Sequence, residues 1–208
     1  MSIKAKFVTT AALTVAISTG LAAPAIAAPA HPAAAVPVSV STASTGAVTE
    51  QQWLTDVSTA IAPAQAYIEQ RTAEPTNRHL AIVFDIDNTT LATHFHPFTM
   101  PGIAPVVRLA QYAHAHGVAL IFVSARPEFI DPLTRHSLTE AGYTVDELRG
   151  RDLGDLFEPV QQFKTEQRTQ VENEGYTIIA NIGNNWTDIN GGHAEQTFKL
   201  PDYNGLLS

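Results

Sequence analysis

At 208 residues, with 45% hydrophobic and 15% charged residues, the chain has the composition of one globular domain and excludes a wholly disordered protein. A formal charge of −8 disfavours nucleic acid, and no nucleic-acid polymer is expected as a partner. The absence of cysteine excludes disulfides, thiol redox chemistry and a thioether-linked lipid anchor.

Residues 1–27 read as a secretory signal peptide. "MSIKAK" supplies two lysines, "FVTTAALTVAISTGLAA" an apolar run, and "PAIA" a small-residue cleavage pattern ending at Ala27. A retained membrane anchor is the alternative, but Thr, Ser and Gly interrupt the run, and Pro24 and Pro29 suit cleavage better. Cleavage removes Lys4 and Lys6 and no acid, which carries the formal charge from −8 to −10 and leaves a secreted, extracellular protein without stable membrane insertion. Residues 28–49 are rich in Ala, Pro, Val, Ser and Thr and carry no formal charge, the composition of a flexible linker. Residues 50–208 form the predicted domain.

Its first element is a helix in which Trp53, Leu54, Val57, Ile61, Ala64 and Ile68 recur at helical spacing behind a Thr49 N-cap. Pro63 is expected to kink or divide it. An alternation follows: strand 80–86, helix 103–116, strand 118–123, helix 128–141, helix 161–174, strand 177–182 and a short strand at 196–200. The strands "LAIVFDI", "VALIFVS" and "TIIANIG" are apolar almost without alternation, which predicts a parallel sheet covered on both faces in an α/β domain.

Ligands of such sheets bind beyond the carboxyl ends of the strands, where this chain places unusual polar groups. Asp85 and Asp87, two apart on an extended segment, can face one site, and carboxylates so close require a cation or a shared proton. Mg²⁺ with oxygen ligands suits them and would reduce the repulsion between a phosphate and an attacking carboxylate. Asp85 is then a candidate nucleophile, and Asp87 a candidate acid and base. In "FVSAR", Ser124 can donate to a phosphate oxygen while Arg126 opens the next helical segment. Lys164 in "QQFKTEQR" offers a fixed positive charge, and Asn184 and Asp188 in "GNNWTD" offer oxygen ligands four apart.

Taken in order, "DIDNT", "FVSAR", "FK" and "GNNWTD" resemble the four motifs of the haloacid dehalogenase (HAD) superfamily of phosphatases. "QFKTEQR" and "ANIGNNWTD" are similar to its secreted acid phosphatase branch, subfamily IIIB, which includes class B and plant acid phosphatases and vegetative storage proteins. The resemblance implies a Rossmann-like three-layer sandwich with a minimal cap and hydrolysis of small phosphomonoesters. It implies Asp85 as the phosphorylated nucleophile, Asp87 as acid/base, Ser124, Ala125 and Arg126 as phosphate or substrate contacts, and Lys164 as a charge clamp. Mg²⁺ would be held by Asp85, Asp87, Asn184 and Asp188. The family commonly has Asp where this chain has Asn184, so a non-catalytic storage or binding protein on the same fold is the rival reading.

Other features carry blander alternatives. A D-x-D pair also occurs in glycosyltransferases, which have no evident need of the later Lys and "GNNWTD". His94 and His96 can line the pocket rim or chelate zinc, and the rim is favoured because no third strong ligand accompanies them. Phe95, Phe98 and Met100 can shape a leaving-group pocket or cover the core. The sequons at Asn88 and Asn185 fall inside the proposed site and are read as chance. The oligomeric state is left open by the sequence.

Overall fold

The computed structural model describes residues 47–207; the predicted leader, and the predicted linker as far as residue 46, lie outside the described residues. Helix α1 runs from Glu50 to Ala73, and the Thr49 hydroxyl accepts the Gln52 N–H at 3.2 Å as its cap. Trp53, Val57, Ile61, Ala64 and Ile68 form its buried stripe. Contrary to the expected division, α1 is continuous through Pro63. Pro63 lies on the exposed face, as does Thr59, whose carbonyl is the one that loses its N–H partner to the proline.

Five strands form one parallel sheet: β1 (His79–Phe84), β2 (Ala119–Pro127), β3 (Glu147–Arg151), β4 (Tyr176–Gly183) and β5 (Gln196–Lys199). Their order is β3-β2-β1-β4-β5, with Phe84 of β1 in register with Phe122 of β2 and Ile182 of β4. The remaining helices are α2 (Ala104–Ala115), α3 (Asp131–Glu140), α4 (Val160–Asn173) and the short α5 (Trp186–Ile189).

Alternation within β1 divides the core. Leu80, Ile82 and Phe84 join the stripes of α1 and α2 and Leu138 of α3 in the larger apolar cluster. Ala81 and Val83 join Phe163 and Val171 of α4 in a smaller one. The result is the expected three-layer α/β sandwich, and among the described residues the segment between β1 and α2 is too short to form a cap domain.

Two expectations are corrected. The predicted helix 128–141 is a 3-10 turn at Glu128–Ile130 followed by α3, because Pro132 fits the first turn of a helix that starts at Asp131. Arg126 therefore belongs to β2 rather than to a helix. Strand β3 was not expected, since "ELRGR" has one apolar residue; as an edge strand it needs no apolar run.

Candidate active site

The chain leaves β1 toward β2 and β3 on one side and enters β4 and β5 on the other, so the topological switch lies between β1 and β4. Asp85 extends the β1–β4 ladder by one rung, its N–H donating to the Ile182 carbonyl at 2.9 Å. The backbone then folds back: the N–H groups of Thr90 and Leu91 both donate to the Ile86 carbonyl, at 2.9 and 3.0 Å. Asn88 takes a left-handed φ of 56° within this turn, a conformation that asparagine tolerates better than most residues. Asp85 and Asp87 thus reach the same cavity, about 570 Å³ in volume, which His94, Ala125, Lys164, Asn184 and Asp188 also line.

At its floor, Lys164 Nζ lies 2.5 Å from Asp85 Oδ1 and 2.7 Å from Asp188 Oδ1, and all three side chains are more than nine-tenths buried. Burial, and next the neighbouring Asp188 charge, push the Asp85 carboxyl up to about 6 against the opposing pull of Lys164. Burial alone would lower the Lys164 pKa, but the two carboxylates outweigh it and hold the ammonium above its ordinary value. Two buried carboxylates against one ammonium leave a surplus negative charge.

Thr89 joins the two loops. Its hydroxyl donates to Asp85 Oδ2 at 2.8 Å and accepts the Asn184 N–H at 2.9 Å. A hydroxyl has a single hydrogen, and the carboxylate at the shorter distance takes it. Asn184 Oδ1, 3.2 Å from the same oxygen, is thereby left as an acceptor with lone pairs to spare.

Asp87 is held differently. Arg126 Nε and Nη2 donate to its two oxygens at 3.0 and 2.7 Å, a two-point pair, and Nη2 also lies 3.5 Å from Met100 Sδ. The Arg126 guanidinium is therefore committed to Asp87 in this structure. Ser124 is buried, its hydroxyl accepting the Arg126 N–H at 3.1 Å; Ala125, not Ser124, lines the cavity.

Asp188 sits in α5, a four-residue helix with a reciprocal capping box in which Asp188 Oδ2 accepts the Asn185 N–H at 2.8 Å. Its carbonyl accepts from Arg168 Nη1 at 2.9 Å and from Asn181 Nδ2 at 2.8 Å. Arg168 also donates to the carbonyls of Asn190 and Gly192, at 2.5 and 2.8 Å, which staples the loop to α4. Arg168, Thr89 and Asn181 were not singled out from the sequence. Arg168 was findable, since it is four residues after Lys164 and so on the same helical face.

The histidine pair separates. His94 lines the cavity, its N–H donating to Asn88 Oδ1 at 2.7 Å, whereas His96 Nε2 pairs with Glu50 of α1 at 2.8 Å. Among the aromatics, Phe95 packs on Trp53 with ring centroids 5.1 Å apart, and Phe98 is 95% exposed. Among the described residues no three His, Cys, Asp or Glu side chains group as metal ligands, so an ion here would also need amide and carbonyl oxygens.

A parallel α/β sheet with paired aspartates at its switch point and a lysine buried between two carboxylates is the architecture expected of a HAD domain. Residues 96–206 match the family model described as HAD superfamily, subfamily IIIB (acid phosphatase), and the chain belongs to that family. The match starts after Asp85 and Asp87, whose placement rests on the geometry above.

The chain is 37% identical over 90 residues to the stem 28 kDa glycoprotein of Glycine max, covering 41% of this chain and 35% of that one. It is 29% identical over 108 residues to acid phosphatase 1 of Solanum lycopersicum, covering 50% and 42%. The chain thus spans less than half the length of these curated relatives. The class C acid phosphatase of Bacillus anthracis shares the fold, with a TM-score of 0.56 at 17% identity over 69% of this chain and 67% of that one. Among the described residues no helix is long and apolar enough to cross a membrane.

Proposed function

We propose that the protein is a secreted phosphomonoesterase that works through an aspartyl-phosphate on Asp85. The observation that carries the reading is the buried Asp85–Lys164–Asp188 cluster opening onto a cavity at the switch point of the sheet. Asp85 attacks phosphorus in line with the ester oxygen; a P–O bond to the carboxylate forms as the P–O bond to the leaving group breaks. Asp87 gives a proton to the departing oxygen, which requires it to enter this step protonated, with one oxygen released from the two-point pair with Arg126. As a carboxylate it then takes a proton from water, whose oxygen attacks phosphorus and releases inorganic phosphate and Asp85. Arg126 holds Asp87 at the height where both transfers occur, and Lys164 keeps the Asp85 oxygens oriented and offsets charge on the transferred group.

The donor set fits Mg²⁺. It is all oxygen, it carries a surplus negative charge, and Asn184 Oδ1 retains unused lone pairs beside Asp85. Asp85, the Asp87 carbonyl, Asn184 and Asp188 would hold the ion, which when bound neutralises charge between carboxylate and phosphate. A small phosphomonoester is the substrate class, because among the described residues the segment between β1 and α2 is short and leaves the cavity open. Export rests on the leader read in the sequence, and N-terminal sequencing of protein recovered from the medium tests it, with Ala28 expected first.

The test is hydrolysis of p-nitrophenyl phosphate from pH 4 to 8 with Mg²⁺ and with EDTA. Mg²⁺-dependent turnover is expected, and its loss in Asp85→Asn. A second, non-catalytic reading, a storage or binding protein that keeps the fold with Asn184 in its metal site, would be selected by absence of turnover under every condition.

A further inference from the structure

The Leu207 carbonyl accepts two buried side-chain amides, Asn88 Nδ2 at 2.7 Å and Asn184 Nδ2 at 3.0 Å. One amide comes from the loop after β1, the other from the loop after β4. A carbonyl oxygen has two lone pairs, and both are used. Because it can only accept, each side chain must turn its NH₂ toward Leu207 and its oxygen away. The Asn88 oxygen then accepts the His94 N–H at 2.7 Å and the Thr93 hydroxyl at 3.3 Å, which fixes the loop that carries His94 into the cavity. The Asn184 oxygen is left facing Thr89, whose hydroxyl is bonded to Asp85, the orientation in which it can serve a cation.

Leu207 is itself anchored. Its side chain is fully buried in the larger core cluster, and its N–H donates to the Asp202 carbonyl at 3.1 Å. Tyr203, Asn204 and Gly205 turn the segment with positive φ, and Lys199 ties it to the Asn184 loop by donating to the carbonyls of Asn184 and Leu200.

We propose that the Leu207 carbonyl is a positioning group of the site, which makes position 184 select an amide over a carboxylate and couples docking of the segment 200–207 to the orientation of Asn184. A carboxylate at 184 would set an oxygen against the Leu207 oxygen at hydrogen-bond distance with no proton between them. An acid at this position therefore costs stability in this chain. The selection itself rests on hydrogen-bond geometry; only its consequence for Mg²⁺ rests on the functional reading above.

The experiment is a cycle of melting temperatures in EDTA at pH 8, comparing Asn184→Asp in the full chain and in a chain ending at Leu206. In the full chain the substitution is expected to lower the melting temperature by roughly 5 °C; in the shortened chain, which lacks the opposing carbonyl, by less than about 2 °C. Equal losses in both chains would overturn the proposal. Leu207→Ala, which removes packing but keeps the carbonyl, should retain the full penalty of Asn184→Asp.

Should the shortened chain fail to fold, the Asp85→Asn, Asp188→Asn background serves, since it removes the two buried carboxylates that would repel an acid at 184. There Asn184→Asp must melt below Asn184→Ala, and the reverse order would overturn the proposal. Calorimetric titration with Mg²⁺ adds a second readout: Asn184→Asp should gain less than about twofold affinity in the full chain and roughly tenfold in the shortened one. Equal gains in the two chains would remove the coupling. Absence of any Mg²⁺ binding by the wild-type chain would refute the ion reading alone, with the melting cycle still deciding the role of Leu207.

Discussion

The two faces of the sheet are built to different specifications. The face under α1 and α2 is apolar throughout, with Trp53, Phe84, Phe122 and Leu109 all fully or almost fully buried. The face under α4 is thin, and that helix buries Lys164 and Arg168 alongside Phe163 and Val171. The thick face supplies the stability; the thin one gives up apolar burial to place one ammonium between two carboxylates and one guanidinium on a loop backbone. A polar group can be buried deeply only where its partners are prearranged, and here those partners are the loops that carry the site.

The comparison breaks most visibly at Lys164. Lys164→Met leaves Asp85 and Asp188 buried without their cation, and turnover should fall at least about 100-fold, measured as kcat on p-nitrophenyl phosphate. On the thick face, Trp53→Ala should cost about 3–5 kcal/mol in denaturant unfolding while kcat of the folded protein is unchanged. A comparable fall in kcat would show that the two faces are not separable in this way.

Arg126→Ala sharpens the division within the site itself. An alkyl phosphate, whose leaving group needs a proton, should lose roughly 10²-fold or more, whereas p-nitrophenyl phosphate, whose leaving group departs unaided, should lose no more than several-fold. Equal losses would assign Arg126 to phosphate binding instead of to Asp87.

The smallest effect belongs to the surface. Arg71 of α1 meets Glu195 at 2.9 Å, and Tyr67 donates to the same carboxylate at 2.7 Å. The hydrogen bond from Arg71 holds the Glu195 carboxyl below its ordinary value of 4.5. A depressed acid stabilises the fold above its unfolded pKa, and that contribution fades as pH falls through the lower folded value. Glu195→Gln should therefore cost less than about 1 kcal/mol at pH 7, because the pair is partly exposed, and progressively less as pH falls through the folded value.

Much of this was legible in the sequence for physical reasons. Strands β1, β2 and β4 are buried on both faces and announce themselves as apolar runs, and Asp85, Asp87, Lys164 and Asp188 stand at their ends or facing them. Strand β3 was not legible because an edge strand carries little apolar pattern. Pairings across long separations were also hidden: Arg126 with Asp87, His96 with Glu50, and Leu207 with Asn88 each depend on how the loops meet. No spacing rule reports a backbone carbonyl that arrives from 119 residues away.

The most direct test of the central claim is to quench the protein with acid during turnover of p-nitrophenyl phosphate and weigh its peptides. One phosphoryl group on the peptide containing Asp85, absent in Asp85→Asn, is the predicted result. Undiminished turnover by Asp85→Asn, or a phosphoryl group on another residue, would contradict it.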